Sequence, residues 1–360
     1  MLRTSDLDYV LPESAIAATP APAREDARLM VVGAGPVRDL RIPDLPGLLA
    51  PGDLVVRNRT RVVPARFVGT RPDTGAKAEG LFLREIGSGL WAAMIRTRRV
   101  GEGVSLGLVS RTGERTGVRL TLVRRLEEPG AWEVRVDDPC GRTSLALLEE
   151  VGRAPLPPYI LSARRRSGMD VPDDLDRARY QTEFAAGQPA SVAAPTAGLH
   201  LTPRVEAALA ARGVRVADVE LQVGTGTFRT VESEFVEQHD MHEELCLVPV
   251  ETAREVDAAL ARGSRVVCVG TTSARTLEAA SAQGAAPGEW FTTRLLITPG
   301  YRFRVMRALL TNLHLPRSTL MALVAAMLPG GATELRTLYE RAISNGYRFY
   351  SYGDAMLVLP

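Results

Sequence analysis

Between Pro64 and Asp138 the chain breaks into strand-length runs, and this stretch limits the possible folds more than any other. The runs cover 65–70, 77–85, 90–96, 104–110, 118–125 and 132–136. Turn signals separate them, among them Asp73-Thr74-Gly75, Gly87-Ser88-Gly89, Arg111-Thr112-Gly113 and Glu128-Pro129-Gly130. Short strands closely spaced by such turns predict a small barrel or sandwich.

The remainder alternates helix and strand. Residues 203–212 read as a helix with Thr202 as its N-cap, Pro203 in the first helical position and Gly213 at its end. A strand over 214–223 follows. A helix over 252–262 is closed by Gly263, and a buried strand over 265–269 and a helix over 276–282 come next. This alternation predicts an α/β layer built on a mainly parallel sheet. The fold class expected is therefore an α/β main domain, residues 1–63 and 156–360, with an inserted barrel-like β domain at 64–155. Residues 164–179 are rich in Arg and Asp without apolar periodicity and read as a charged loop. A solvated loop and a phosphate-contacting loop both fit that composition.

With 360 residues the chain is long enough for two domains, since single cores stop growing at about 250–300 residues. The first residues lack the pattern of a secretory leader, and no apolar run approaches the roughly 20 residues of a membrane helix. A cytoplasmic protein without a membrane partner is expected. Cys140, Cys246 and Cys268 are far apart and show no ligand spacing, so no structural metal is expected. The net charge of +2 excludes a uniformly basic nucleic-acid coat but leaves room for a local basic face. Almost all the positive charge is arginine. Lys77 is the single lysine, and asparagine occurs only at positions 58, 312 and 345. These rare residues are candidates for side-chain requirements.

Four segments carry the chemistry. Ser191 to Thr202 is small, polar and glycine-containing, contains His200, and opens a helix whose free N–H groups suit a carboxylate, hydroxyl or phosphate. Gln222 to Phe228 places a Gly-x-Gly after a strand, where backbone can approach a ligand closely, and His239 and His242 follow among carboxylates. A metal pair, acid–base groups and a surface cluster all remain open for these two histidines. Thr271, Thr272, Ser273 and Arg275 follow a buried strand, where α/β sheets bind ligands. Thr311 to Thr319 includes Asn312 and His314 and again precedes a helix. All four histidines thus lie in these segments.

Read in order, these runs resemble the S-adenosylmethionine:tRNA ribosyltransferase-isomerase family of queuosine biosynthesis. The matching runs include Leu7-Asp-Tyr-Val-Leu-Pro12, Asn58-Arg-Thr60-Arg61, Gly75-Ala-Lys77-Ala-Glu79 and Pro155-Leu-Pro-Pro-Tyr159. They continue with Arg179-Tyr-Gln-Thr182, Ala193 to His200, Val223 to Phe228, Met241-His242-Glu243-Glu244, Gly270 to Glu278, Thr311 to Pro316 and Tyr347 to Met356. The resemblance spans essentially the whole chain and implies transfer and isomerisation of the ribosyl part of S-adenosylmethionine. The acceptor would be 7-aminomethyl-7-deazaguanine in a tRNA anticodon loop, and the products epoxyqueuosine, adenine and methionine. It implies no cofactor or metal beyond S-adenosylmethionine as co-substrate. A monomer is expected, although nothing in the sequence sets the oligomeric state.

By the same resemblance His200, His242, Glu244 and His314 become candidates for the chemical step. Asn58, Thr60, Thr196, Thr227, Thr271, Thr272, Ser273, Asn312 and Asp354 become candidates for substrate binding. Arg61, Lys77 and Arg275 would meet a carboxylate or RNA phosphates, and Phe228 or Tyr352 would stack on a base. Two positions depart from the family pattern: Arg59 replaces an acid, and Gln222 replaces a histidine. Gln cannot take a proton at neutral pH. A paralogue using the same chemistry on a small nucleoside or amine therefore stands beside the tRNA reading, with a non-catalytic RNA-binding protein as a third.

Overall fold

The computed structural model describes residues 1–224, 226 and 230–359. The chain begins with β1 (Arg28–Gly33), β2 (Arg38–Arg41), a short helix α1 (Leu45–Leu48), β3 (Leu54–Asn58) and β4 (Arg61–Val62). It then enters the barrel through β5 (Arg66–Thr70), β6 (Lys77–Gly87), β7 (Leu90–Thr97), β8 (Ser105–Val109), β9 (Arg115–Arg125) and β10 (Ala131–Asp137). These six strands close on themselves in the order β10-β7-β6-β5-β8-β9. Each expected run has become one strand. Alternation does the sorting: Val118, Leu120 and Leu122 of β9 and Trp132 and Val134 of β10 point inward. Gly80 is required where it stands, because a Cβ there would lie 2.2 Å from the Phe67 ring. Helix α2 (Ser144–Val151), capped by the Thr143 hydroxyl, buries Leu147, Leu148 and Val151 in the same core.

Helices α3 (Pro158–Ser167) and α4 (Asp173–Arg179) occupy the segment expected to be a charged loop. Arg164 and Asp176 explain the difference. Both are buried and form a bidentate pair, which ties α3 to α4. The burial is ionic rather than apolar, so hydrophobic periodicity could not reveal it. Gly168, at φ 63°, ends α3 in the left-handed conformation.

The later elements are β11 (Pro189–Ser191), α5 (Pro203–Ala211), β12 (Arg215–Leu221), β13 (Glu244–Leu247) and α6 (Val250–Ala261). After them come β14 (Val266–Val269), α7 (Gly270–Gln283), β15 (Trp290–Thr293) and β16 (Ala308–Asn312). Helices α8 (Thr319–Ala326) and α9 (Gly331–Ser344) and strand β17 (Ala355–Leu359) complete the chain. Among the described residues, nine strands form one sheet in the order β15-β13-β12-β3-β14-β16-β17-β1-β2.

This sheet is mixed rather than mainly parallel. β12, β3, β14 and β16 run parallel, whereas β17 opposes β16, and both edges are antiparallel. β3 precedes the barrel in sequence yet pairs with strands that follow it, so the sheet is built from both sides of the barrel segment. None of the described helices is long and apolar enough to cross a membrane.

Helix α7 starts at Gly270, six residues before the expected position. Thr271, Thr272 and Ser273 therefore form its first turn rather than a preceding loop. Residues 270–279 of this helix are all buried, which erases the amphipathic pattern that would have marked its start. Ser273 donates to the Val269 carbonyl and Thr276 to the Thr272 carbonyl, so these hydroxyls are satisfied inside the core.

Farther along α7, the fully buried Glu278 carboxylate accepts from the backbone N–H groups of Arg304, Val305 and Met306. It thereby fixes the turn that leads into β16. Glu278→Ala should strand three buried donors and cost about 3 kcal/mol or more in urea unfolding. A loss below about 1 kcal/mol would show that the turn is held by other contacts.

Candidate active site

A cavity of about 60 Å³ opens at the carboxyl ends of β14 and β16. Open α/β sheets place small-molecule sites at this position. Its polar wall includes Thr196, Thr271, Thr272, Thr311, Asn312 and His314. One side of the cavity is the first turn of α7, whose N–H groups lack helical partners. The Thr272 hydroxyl is buried there without a hydrogen-bond partner. On the other side Tyr159 and Tyr350 pack with ring centroids 4.4 Å apart. Tyr350 holds a left-handed φ of 73°, a conformation unfavourable for a bulky residue and concentrated at functional sites. Its N–H donates to the Leu313 carbonyl, and its own carbonyl accepts from Gly353.

Asn312 is fixed from behind. Thr196 Oγ1 donates to Asn312 Oδ1 at 2.8 Å, and the Asn312 amide faces His200 Nε2 at 3.4 Å. His200 Nδ1 lies 3.5 Å from the Arg24 carbonyl, so the consistent tautomer carries its proton on Nδ1. Burial lowers the His200 pKa to about 4 and that of His314 to about 3. His314 belongs to the cavity wall and bonds Thr311 Oγ1 through Nε2 at 2.8 Å. His200 lies behind the wall and reaches the cavity only through Asn312.

The cavity shares Val223 and Leu320 with a cleft between the barrel and the main sheet. Gln222, His239 and His242 line this cleft, together with Arg84, Arg124 and Arg125 of the barrel. The Gly-x-Gly approach expected after β12 is made toward a side chain: a Cβ on Gly226 would lie 2.1 Å from His242 Cδ2. Glu244, at the start of β13, forms a buried ion pair with Arg275, whose Nε donates to the Leu295 carbonyl. Among the described residues no cluster of three or more His, Cys, Asp or Glu stands ready for a metal.

Other predicted site residues frame the site without facing it. Asn58 exchanges hydrogen bonds with both the N–H and the carbonyl of Leu221 and accepts from Thr60 N. Thr60 bonds Ser191 at 2.6 Å, and Ser191 accepts from Val223 N. These bonds stitch β3, β11 and the end of β12, and they set the position of Gln222. Ser273 is satisfied by the Val269 carbonyl at the end of β14, and Asp354 accepts from the N–H groups of Arg28 and Arg348. Tyr352 is buried beside His200 in a separate small pocket. Arg61 opens on a third cavity, and Lys77 is exposed on β6 and lines neither the cavity nor the cleft. Thr227 and Phe228 lie outside the described residues.

Sequence reasoning missed the barrel arginines and the Tyr159–Tyr350 pair. The Arg124-Arg125 doublet at the end of a strand and Arg84 beside a turn were the available signal, but only barrel closure brings them together.

The fold and site together define a two-part α/β protein with a ligand cavity at its strand ends and a barrel flanking the entrance. Residues 4–358 match the model of the queuosine biosynthesis protein family, and the chain belongs to that family. An S-adenosylmethionine:tRNA ribosyltransferase-isomerase from Anaeromyxobacter sp. (strain Fw109-5) is 46% identical, with 99% of each chain covered. Another from Acidiphilium cryptum is 45% identical, again covering 99% of both. A crystal structure of an S-adenosylmethionine tRNA ribosyltransferase from Thermotoga maritima is 30% identical with a TM-score of 0.52. That alignment covers 98% of this chain and 100% of the other.

The two depressed histidines make an acid-sensitivity prediction. In the unfolded chain both titrate near the ordinary value of about 6.5. Below that pH the unfolded state binds more protons, so stability falls until each folded value is reached, about 4 for His200 and about 3 for His314. Above about pH 7 neither effect operates. Between pH 6 and 5, His314→Gln should flatten the fall in urea-unfolding free energy by up to about 1.4 kcal/mol per pH unit. A slope equal to that of the parent chain would show that His314 is not buried neutral.

Proposed function

We propose that this chain is an S-adenosylmethionine-dependent tRNA ribosyltransferase-isomerase of queuosine biosynthesis. The observation that carries the proposal is the pairing, in one cavity, of opposite recognition chemistries beside an arginine-bearing cleft. The α7 N-terminus and the Thr272 hydroxyl suit a carboxylate. The Tyr159 and Tyr350 rings suit a cation such as a sulfonium. S-adenosylmethionine carries both groups, and the names of the relatives specify that substrate together with tRNA. In this arrangement Thr196, Thr311 and Asn312 meet ribose hydroxyls, and His314, held neutral, exchanges hydrogen bonds with the sugar.

The cleft receives the modified base of the tRNA, with Arg84 and Arg124, each also paired with a carboxylate (Glu128 and Glu133), and Arg125 toward its phosphates. The sulfonium acidifies the adjacent C5′ protons, and a base removes one of them. Adenine leaves as it gains a proton. The acceptor amine attacks the rearranging sugar, methionine departs, and the epoxycyclopentanediol remains on the base. His242 is assigned the proton transfer at the acceptor. It lines the open cleft, whereas His200 and His314 are buried and Glu244 is paired with Arg275. No metal or second cofactor enters this scheme.

Incubation with S-adenosylmethionine and tRNA bearing the aminomethyl-deazaguanine should release adenine and add the epoxycyclopentanediol mass to the anticodon nucleoside. Adenine release with a small amine acceptor but never with tRNA would overturn the acceptor. Thr272→Val should raise KM for S-adenosylmethionine about tenfold, the worth of one hydrogen bond of about 1.4 kcal/mol. His242→Ala should lower kcat at least about 100-fold with unchanged unfolding. Retained turnover would remove His242 from the proton path.

A further inference from the structure

On the far side of His200 from the main cavity, three arginines converge on a small pocket. Arg24, Arg179 and Arg348 line it with Ser351, Tyr352 and His200, and no carboxylate belongs to the lining. Each guanidinium is aimed by a backbone carbonyl: Arg24 by Ala178, Arg179 by Pro22 and Arg348 by Thr19. Of the three, only Arg24 has an ion pair with a described residue, Glu183 at 3.2 Å. The nearby Asp354 carboxylate is occupied by the N–H groups of Arg28 and Arg348.

Two buried polar atoms are left without partners, the Tyr352 hydroxyl and Arg24 Nη1, and the Tyr352 residue is 3% exposed. Buried donors without acceptors cost about 1–3 kcal/mol each, and converging like charges add to that cost. Burial lowers the Arg24 pKa, opposed by the Glu183 carboxylate and reinforced by the Arg179 charge. Burial raises the Tyr352 pKa, so its hydroxyl remains a donor.

We infer that this pocket is a phosphate-binding site, formed by Arg24, Arg179, Arg348 and the Tyr352 hydroxyl and sharing only Ser351 with the lining of the cavity proposed for S-adenosylmethionine. A tetrahedral phosphate offers enough oxygens for three guanidinium groups and a hydroxyl, whereas a carboxylate has two. The donors are pre-aimed, which reduces the ordering cost of binding. The pocket has room for one compact anion rather than a nucleoside. Its phosphate has two sources, a backbone phosphodiester of bound RNA or a free phosphate. The RNA source rests on the tRNA reading above, and the free source does not.

Inorganic phosphate is the direct probe, compared with chloride at equal ionic strength in the full chain. A backbone source is read separately, as the salt dependence of tRNA binding by fluorescence anisotropy. The site predicts a saturable rise in Tm with phosphate, abolished in Arg179→Gln/Arg348→Gln and shifted about tenfold in apparent Kd in Tyr352→Phe, the loss of one hydrogen bond. If RNA supplies the phosphate, the double variant should also lose about one unit from the slope of log K against log salt. Phosphate binding with an unchanged slope would assign the site to a free anion. A lowered slope alone would assign it to RNA. Should the double variant misfold, Arg348→Lys keeps the charge but loses the fork, and it should weaken phosphate binding in the same direction. No saturable phosphate effect in the parent chain together with an unchanged tRNA slope would overturn the inference. These readouts do not require turnover, so failure of the adenine-release assay leaves them independent.

Discussion

β3 lies at the centre of this structure, hydrogen-bonded to β12 on one side and β14 on the other and buried along its whole length. It is made before the barrel and completed by strands made after it, so it cannot form until both ends of the intervening segment have met. Its parallel register with β12 and β14, continued by β16, brings several carboxyl strand ends to one edge. The cavity opens at the β14 and β16 ends. At the β3 and β12 ends Asn58 takes both backbone groups of Leu221, which stops β12 where the cleft begins. One strand thus aligns the sheet, returns the barrel to its place and sets the entrance to the site.

Much of this was legible wherever a face is half exposed. The six barrel strands alternate inward and outward, and α5 carries its cap and its closing glycine in the sequence. Legibility failed where burial is complete or ionic. α7 is enclosed over its first ten residues and shows no amphipathic stripe. α3 and α4 are joined through Arg164 and Asp176, a contact with no apolar signature. The opposed β17 was hidden for another reason: strand direction is a property of the connection, and the connection through α8 and α9 has no fixed sense in the sequence.

The candidate site divides along the same line. Motif membership marked loops that the fold brings to the cavity and the cleft, yet within each loop the side chains differ in their partners. Asn58, Thr60 and Ser191 spend their hydrogen bonds on the scaffold, and His200 spends its own on orienting Asn312. Thr272 is different, because its hydroxyl is buried and unpartnered at a helix N-terminus. A scaffold gains nothing from a buried polar atom left unpaired, and a binding site gains a donor already stripped of water. On the function proposed above, that contrast sets Thr272 apart from the framework residues as the candidate ligand contact.

The two departures from the family pattern separate in the same way. Arg59 pairs with Glu220 on the neighbouring β12, at 2.7 Å, so its positive charge is answered within the sheet. Among the described residues none holds the Gln222 side chain in this way; its backbone bonds Leu245, and it lines the cleft beside His239 and His242. The amide can donate and accept but carries no proton between them. On the function proposed above, proton movement at that end of the cleft is assigned to His242, against which the Gly226 backbone packs closely. Neither Arg59 nor Gln222 lines the cavity proposed above for S-adenosylmethionine.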